Sequence, residues 1–586
     1  MSASSGRPVY VETDPEAVAG FFHPGPGGGG ATGTAVLICP PWGWDEVASY
    51  RSRREWAERL AAAGHPTLRF ALPATGNSVG SPRDPQRVEA WVGAIAGAAA
   101  WLRAESGARR LAVLGLGLGG LLARAAISAG AEIDDLILWA APASGRAFAR
   151  EARAFSRMQA WNGVDGEGSS DLLSEGWIEA GGFVLSAETL ESLRQIAADP
   201  GSDRVPRRAL LLERDGIGVD GDLREGLETA GAAVSVAPGD GWAALVSHAE
   251  RSDFPERTAA RIATWLEAER ASGPDRFASP APPAELQGLI LKVGGKRVRE
   301  RAFVAEMPFG RAFGVLAEPA DGPASDLCAV CLNAGAVRTI GPNRIWAETA
   351  RRWAALGVRT LRLDLEGIGE ADGDAVPDVT DFYLPKFATQ LGTVLDRLEE
   401  QGRGERFLLA GICAGGYWAF QRALEDPRVV AAVLLNPGAL VWDPELVDQR
   451  QARKVGRASQ GRWWARLARG EVGISKLWSL LRSLLVAGAR RLRAVLSGGR
   501  RSLRTEVYAD LDRLGEGRTT LRLAFSAEES LAAELRAYGV LDERGRWPRL
   551  TVTRLPGADH TLRPLAAQAA ARDLLDAELE RARSLS

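Results

Sequence analysis

Residues 406–424 read RFLLAGICAGGYWAFQRAL: an apolar run, a glycine-flanked cysteine and an amphipathic stretch. The apolar run predicts a buried strand and the stretch after Cys413 a helix, so Gly411-Ile-Cys-Ala-Gly415 is the turn that joins them. So sharp a turn presses strand and helix together until a β-carbon on the flanking residues would clash, which is why glycines bracket its centre. Residues 115–119, Gly-Leu-Gly-Leu-Gly, repeat the pattern after another apolar run, RRLAVL. The centre of this earlier turn is Gly117, which has no side chain, whereas Cys413 is a nucleophile.

Around the two turns the chain repeats itself. WAERLAAAGHPTLRFALPATG (56–76) aligns with TARRWAALGVRTLRLDLEGIG (349–369), placing Gly64 on Gly357, Arg69 on Arg362 and Gly76 on Gly369. Agreement across separated blocks predicts tandem copies of one fold. In each copy, apolar runs such as TAVLIC, RALLL, CAVCL and AAVLL alternate with helical patterns, which predicts an α/β fold with a mainly parallel sheet covered on both faces. Functional groups then gather beyond the carboxyl ends of the strands. The Pro/Ala/Ser-rich stretch 271–286 reads as a linker, leaving domains at 1–270 and 287–586. Each copy carries an insertion after the strand that follows its turn, at 142–206 and about 439–517, where a helical cap or lid is expected. The second insertion is rich in Arg and Lys with few acids. It reads first as a lid helix, and alternatively as a surface for an anionic carrier, a phosphopantetheine-bearing protein or a membrane.

A chain of 586 residues, 46% hydrophobic and 25% charged, exceeds a single core and has ordinary globular composition. A formal charge of −2 gives no reason to expect nucleic acid. The first residues lack a secretory pattern and no long apolar run predicts a membrane span, so the cytoplasm is the expected address. Four cysteines argue against a disulfide framework. Cys328 and Cys331 form a C-x-x-C, but they fall in an apolar run with no second pair or nearby histidine. They read as core residues, and no metal or cofactor is expected.

Cys413 opens a helix, whose positive end favours a thiolate, and it needs a base. The second half contains one histidine, His560 in LPGADH, after the last predicted strand; it is the expected base. The acid that orients it is expected beyond the strand TTLRLAFS, at Glu529 or, as the alternative, Glu528; Asp443 is a weaker substitute. Backbone N–H groups of Ala414 and of Ala336, or its neighbour Gly335, are the expected oxyanion donors. The first half keeps Asp215 and His248 at plausible acid and base positions but has Gly117 for a nucleophile and Ala71 where the second half has Asp364. His23 and His65 receive no role.

The strand–GICAGG–helix pattern, the later acid and the terminal GADH resemble the α/β-hydrolase superfamily in its nucleophile…acid…histidine order. LNAGAVRTIGPNRIW…LRLDLEGIG and PPWGWDEVASYRSRREW further resemble serine-aminopeptidase-like hydrolases encoded with bacterial exosortase and exopolysaccharide systems. Cysteine in place of serine is similar to dienelactone hydrolases, polyhydroxyalkanoate synthases and some carrier-protein thioesterases. The resemblance implies two tandem α/β-hydrolase domains, the first degenerate. It further implies a Cys413–His560–Glu529 triad and thioesterase, esterase or acyltransferase chemistry in a bacterial biosynthetic pathway, on an ester or thioester carried by CoA or a carrier protein. The competing expectation is a non-catalytic binding or scaffold protein in which Cys413 is a core residue.

Overall fold

The computed structural model describes residues 6–26, 33–161, 172–197, 204–249, 253–268, 283–376, 378–442, 503–557 and 559–585. Two nine-stranded sheets dominate. In the second, the strands lie in the order Leu289–Val293, Lys296–Met307, Gly310–Pro319, Arg359–Asp364, Leu327–Leu332, Arg406–Ile412, Val429–Leu435, Thr520–Phe525, Leu550–Arg554. From Arg359–Asp364 onward every pairing is parallel, while the first three strands form an antiparallel edge. The first sheet has the same plan around Arg110–Leu116, flanked by Thr34–Cys39 and Asp135–Trp139. Each half is therefore an α/β domain of the expected class, a mainly parallel sheet flanked by helices.

Continuous apolar strands are what a doubly covered sheet requires. Leu327–Leu332 is buried at every position, and its alternate residues enter different cores: Cys328 joins one cluster with Phe407 and Trp418, and Cys331 joins the other with Trp346 and Trp353. The two cysteines face opposite sides of the sheet, which rules out a shared metal or redox pair, and burial pushes both thiols up to about 12. The helix Pro385–Glu400 starts on a proline and buries Phe387, Leu391, Val394, Leu395 and Leu398, a single face at helical spacing.

Two sequence expectations change. Of the expected linker, residues 271–282 lie outside the described residues, while Glu285–Leu286 pairs with Arg7–Val11 as the last strand of the first sheet. Of the expected second lid, 443–502 lie outside them, and Asp443 with them. Leu503–Glu516 is a crossover helix with Val507, Leu511 and Leu514 buried in the main core. Its amphipathic face serves the sheet rather than a lid. The first insertion holds the helix Gly145–Trp161, the hairpin Ile178–Ala180/Phe183–Leu185 and the helix Ala187–Arg194.

The halves join through matched pairs. Arg344 donates to the Gly80 carbonyl at 3.0 Å, and Arg51 donates to the Gly373 carbonyl at 3.2 Å. Arg362 donates to Asn77 Oδ1 at 2.7 Å, and Arg69 to Glu370 Oε1 at 2.6 Å. The offset that carries Gly64 onto Gly357 carries each residue of one contact onto its counterpart in the other, the reciprocity of a two-fold interface.

Candidate active site

Cys413 sits at φ 56°, ψ −119°, between the strand Arg406–Ile412 and the helix Ala414–Glu425. A β-carbon on Gly411 would come within 2.2 Å of Gly415 backbone, and one on Gly415 within 2.3 Å of the Asn333 carbonyl, so both flanking positions admit only glycine. The left-handed conformation at Cys413 is the strain of the turn, and it raises the half-buried thiol clear of the backbone.

Three further loops converge here. His560 Nδ1 lies 2.9 Å from Glu529 Oε1, and its ring also hydrogen-bonds to the Cys413 thiol. Burial alone would lower the imidazole pKa; the neighbouring Cys413 and Glu529 more than offset it and hold it well above the ordinary value. The histidine side chain keeps 41% exposure, whereas Glu529 keeps 11%. Glu528, the alternative acid, is exposed and sits at φ 66°. Ala336 lies in the tight turn Ala334–Val337 after the strand Leu327–Leu332, closed by Val337 N–H donating to the Ala334 carbonyl at 3.1 Å. Gly415 N–H donates to the Asn333 carbonyl at 3.1 Å, which ties this loop to the helix that Ala414 opens. Ala414 N–H is in the first turn of that helix, where no intrahelical acceptor exists.

Several residues that sequence reasoning missed hold this arrangement. Asn436 donates to the His560 carbonyl at 2.9 Å and to Ser526 Oγ at 2.9 Å, and accepts from Ser526 N–H at 2.7 Å, so one amide joins the acid loop to the histidine loop. Asp559 accepts from the backbone N–H groups of Thr561 at 3.0 Å and Arg563 at 3.1 Å. Asn343 donates to the Leu562 carbonyl at 3.1 Å. The buried Tyr383 places its hydroxyl 3.6 Å from Cys413 Sγ and stacks on Trp442 at 4.2 Å. Asp364 accepts from Asn333 Nδ2 at 2.9 Å and from Glu370 N–H at 3.1 Å, behind the Asn333 carbonyl that meets Gly415. An Asn directly after a strand, in LLNPG, was the one local signal for Asn436.

The first half differs from this arrangement at a second position besides Gly117. Aligning APGDGW with LPGADH puts Trp242 at the station of His560, and Trp242 does pack over Gly117. Asp215 accepts three backbone N–H groups, from Gly241 at 2.5 Å, Trp242 at 3.2 Å and Ala243 at 2.8 Å, so it caps a short helix instead of orienting an imidazole. His248 lies beyond that helix and is exposed, which corrects its reading as a remaining base. His23 and His65 are buried; Arg69 Nε donates to His23, and burial followed by Arg69 lowers its pKa to about 3. Among the described residues no cluster of His, Cys, Asp and Glu could hold a metal, and no helix is long and apolar enough to cross a membrane.

No family model matches the chain, and no curated protein does. Solved structures do resemble it. A hypothetical protein from Pseudomonas aeruginosa shares 16% identity over 46% of this chain and 94% of its own, with a TM-score of 0.32. An esterase from Pyrococcus furiosus shares 16% over 45% of this chain and 93% of its own, at 0.31. A lidless α/β serine hydrolase from Xanthomonas campestris shares 14% over 45% and 93%, at 0.28. Each spans less than half of the present chain.

Proposed function

We propose that residues 287–586 form an enzyme that transfers acyl groups through a Cys413 acyl-enzyme, with residues 1–270 as a nucleophile-less companion domain. The observation that carries the reading is His560 held between Glu529 and the Cys413 thiol. In the first step the Cys413 sulfur attacks an ester or thioester carbonyl, a C–S bond forms, and the displaced alcohol or thiol leaves with the proton that His560 took from the thiol. Charge that develops on the carbonyl oxygen is met by the N–H groups of Ala414 and Ala336. In the second step His560 takes a proton from water or another acceptor, whose oxygen or nitrogen attacks the acyl carbon as the C–S bond breaks. Water makes the enzyme a thioesterase or esterase, and an alcohol or amine makes it an acyltransferase. A thiolate accepts an acyl group from a thioester at little energetic cost, which favours thioesters on CoA or a carrier protein and a place in bacterial biosynthesis.

Intact-mass analysis with an activated acyl thioester tests the reading. Wild-type protein gains one acyl group on Cys413, Cys413→Ala gains none and turns over nothing, and His560→Ala is not acylated or does not release the acyl group. Wild-type turnover in both variants, or a folded protein that resists acylation while the unfolded chain accepts it, would overturn the mechanism in favour of a scaffold.

A further inference from the structure

Between the halves lies a cavity of about 730 Å³ whose lining includes neither Cys413 nor His560. That volume suits a small organic ligand, and a domain interface is a common place for one. Its apolar and aromatic lining includes Trp42, Phe183, Leu185, Ile340 and Leu565, with Trp42 and Phe183 in edge contact at 6.0 Å. The same lining includes Arg344 and Arg351, both buried.

The charges around this arginine pair do not balance within the protein. Arg351 and Arg362 share the single buried carboxylate of Glu300, at 2.6 and 2.7 Å. Arg344 has no carboxylate; its Nε, Nη1 and Nη2 each donate to a backbone carbonyl, of Gly76, Gly80 and Ser78. Those three bonds leave one N–H on each of Nη1 and Nη2, and Arg351 Nε is buried with no acceptor at all. Burial and then the facing Arg351 push the Arg344 pKa down to about 9, the mark of a cation short of counter-charge. Most acids elsewhere on the lining are already committed: Glu16 to Arg87, Glu46 to Arg338, Glu348 to Arg572 and Asp576 to Arg352. Asp84 accepts from Ser81 N–H at 2.7 Å. An anion in a cavity lined by these two arginines would supply counter-charge and acceptors that the protein's own groups do not.

We infer that this interdomain cavity binds an anionic amphiphile, its single phosphate or carboxylate head against Arg344 and Arg351 and its apolar body along the aromatic wall. The inference is independent of the acyl-enzyme reading, since the site is separate from Cys413.

Calorimetry and thermal melting of the full chain with decyl phosphate, decanoate, decyl maltoside and inorganic phosphate test it. Saturable one-to-one binding of decyl phosphate or decanoate is expected, with the melting temperature raised. Decyl maltoside and phosphate alone should bind at least tenfold more weakly. Cys413→Ala should bind unchanged. Arg344→Met should weaken the anionic ligands at least tenfold, and Val79→Trp, which fills the cavity from its half-buried lining position, should do the same while keeping the fold. Equal binding of maltoside, equal binding of phosphate alone as an adventitious ion only, loss of binding in Cys413→Ala, or full binding in Val79→Trp would each overturn the proposal.

Discussion

Trp242 lies over Gly117, its ring 3.6 Å from where a β-carbon on the glycine would stand. The two residues occupy the stations that His560 and Cys413 occupy in the second half, so the positions of the proposed base and nucleophile are filled together. Trp242 also packs edge-on against Trp139 at 5.2 Å, which makes this region part of a tryptophan core. Restoring only the nucleophile should therefore restore nothing. In a Cys413→Ala background, Gly117→Cys should show no thioester turnover above the background. The backbone there, at φ 51°, is close to that of Cys413, so the added residue costs about 1–3 kcal/mol. Measurable turnover from Gly117→Cys alone would show that the first half retains a working base.

Asp364 carries a pH signature. Burial, opposed by the N–H groups of Glu370 and Asn333, raises its pKa to about 7. The folded state thus holds a proton that the unfolded state releases at its lower pKa, so this group's contribution is full below about pH 4 and is lost as pH rises through about 7. Asp364→Asn removes the titration. The stability of wild type relative to this variant, from urea unfolding at stepped pH, should fall between pH 4 and 7 by up to about 4 kcal/mol and then level off. A difference that stays flat across the window would contradict a protonated Asp364.

What was legible in the sequence was local. The glycine-flanked turn, the apolar strands and the lone histidine of the second half are short patterns whose chemistry is carried by adjacent residues, and Glu529 follows its strand by only four positions. The remainder depends on distant residues meeting. Tyr383, at the end of the 3₁₀ turn Val379–Tyr383, has nothing beside it in sequence to mark its approach to Cys413. A histidine such as His248 is visible in any sequence, while Trp242, at the station of His560, looks like any core residue until the two halves are superposed. Residues 503–516 show the same limit, because an amphipathic helix reads alike whether it covers a ligand or a sheet.

The His560 imidazolium is stabilised from two sides, so its pKa should respond to either partner. Because the folded value is raised, the stability from this pairing is present below the ordinary histidine pKa and is lost as pH rises through the raised one. Glu529→Gln deletes the carboxylate 2.9 Å from Nδ1. It should lower the His560 pKa, read by NMR titration among only four histidines, and shift the alkaline limb of thioester turnover to lower pH. The rate at the optimum should drop by about 10²-fold or more. Glu528→Gln, at an exposed position, should leave both unchanged. An unchanged titration in Glu529→Gln would remove that residue from the triad.

The join between the halves rests on buried charge that only the pair of domains satisfies. Arg69 Nη1 and Nη2 donate to the two oxygens of Glu370, to which the Tyr50 hydroxyl also donates, and all these groups but the half-buried Tyr50 are sealed from solvent. Burial alone would raise the Glu370 pKa; Arg69 and then Arg54 reverse this and lower it to about 2. Its stabilisation is therefore complete above the ordinary glutamate pKa and is lost as pH falls toward 2. Glu370→Gln would strand the Arg69 guanidinium in the interface, and breaking such a pair from one side costs about 3–5 kcal/mol. Urea unfolding at pH 7 should show that loss, and the gap between variant and wild type should narrow below pH 4 as the wild-type carboxylate protonates. Replacing both partners, as Arg69→Met with Glu370→Leu, should recover much of the loss, because no uncompensated charge remains. A double variant as unstable as Glu370→Gln would mean that the pair contributes shape rather than charge balance to the interface.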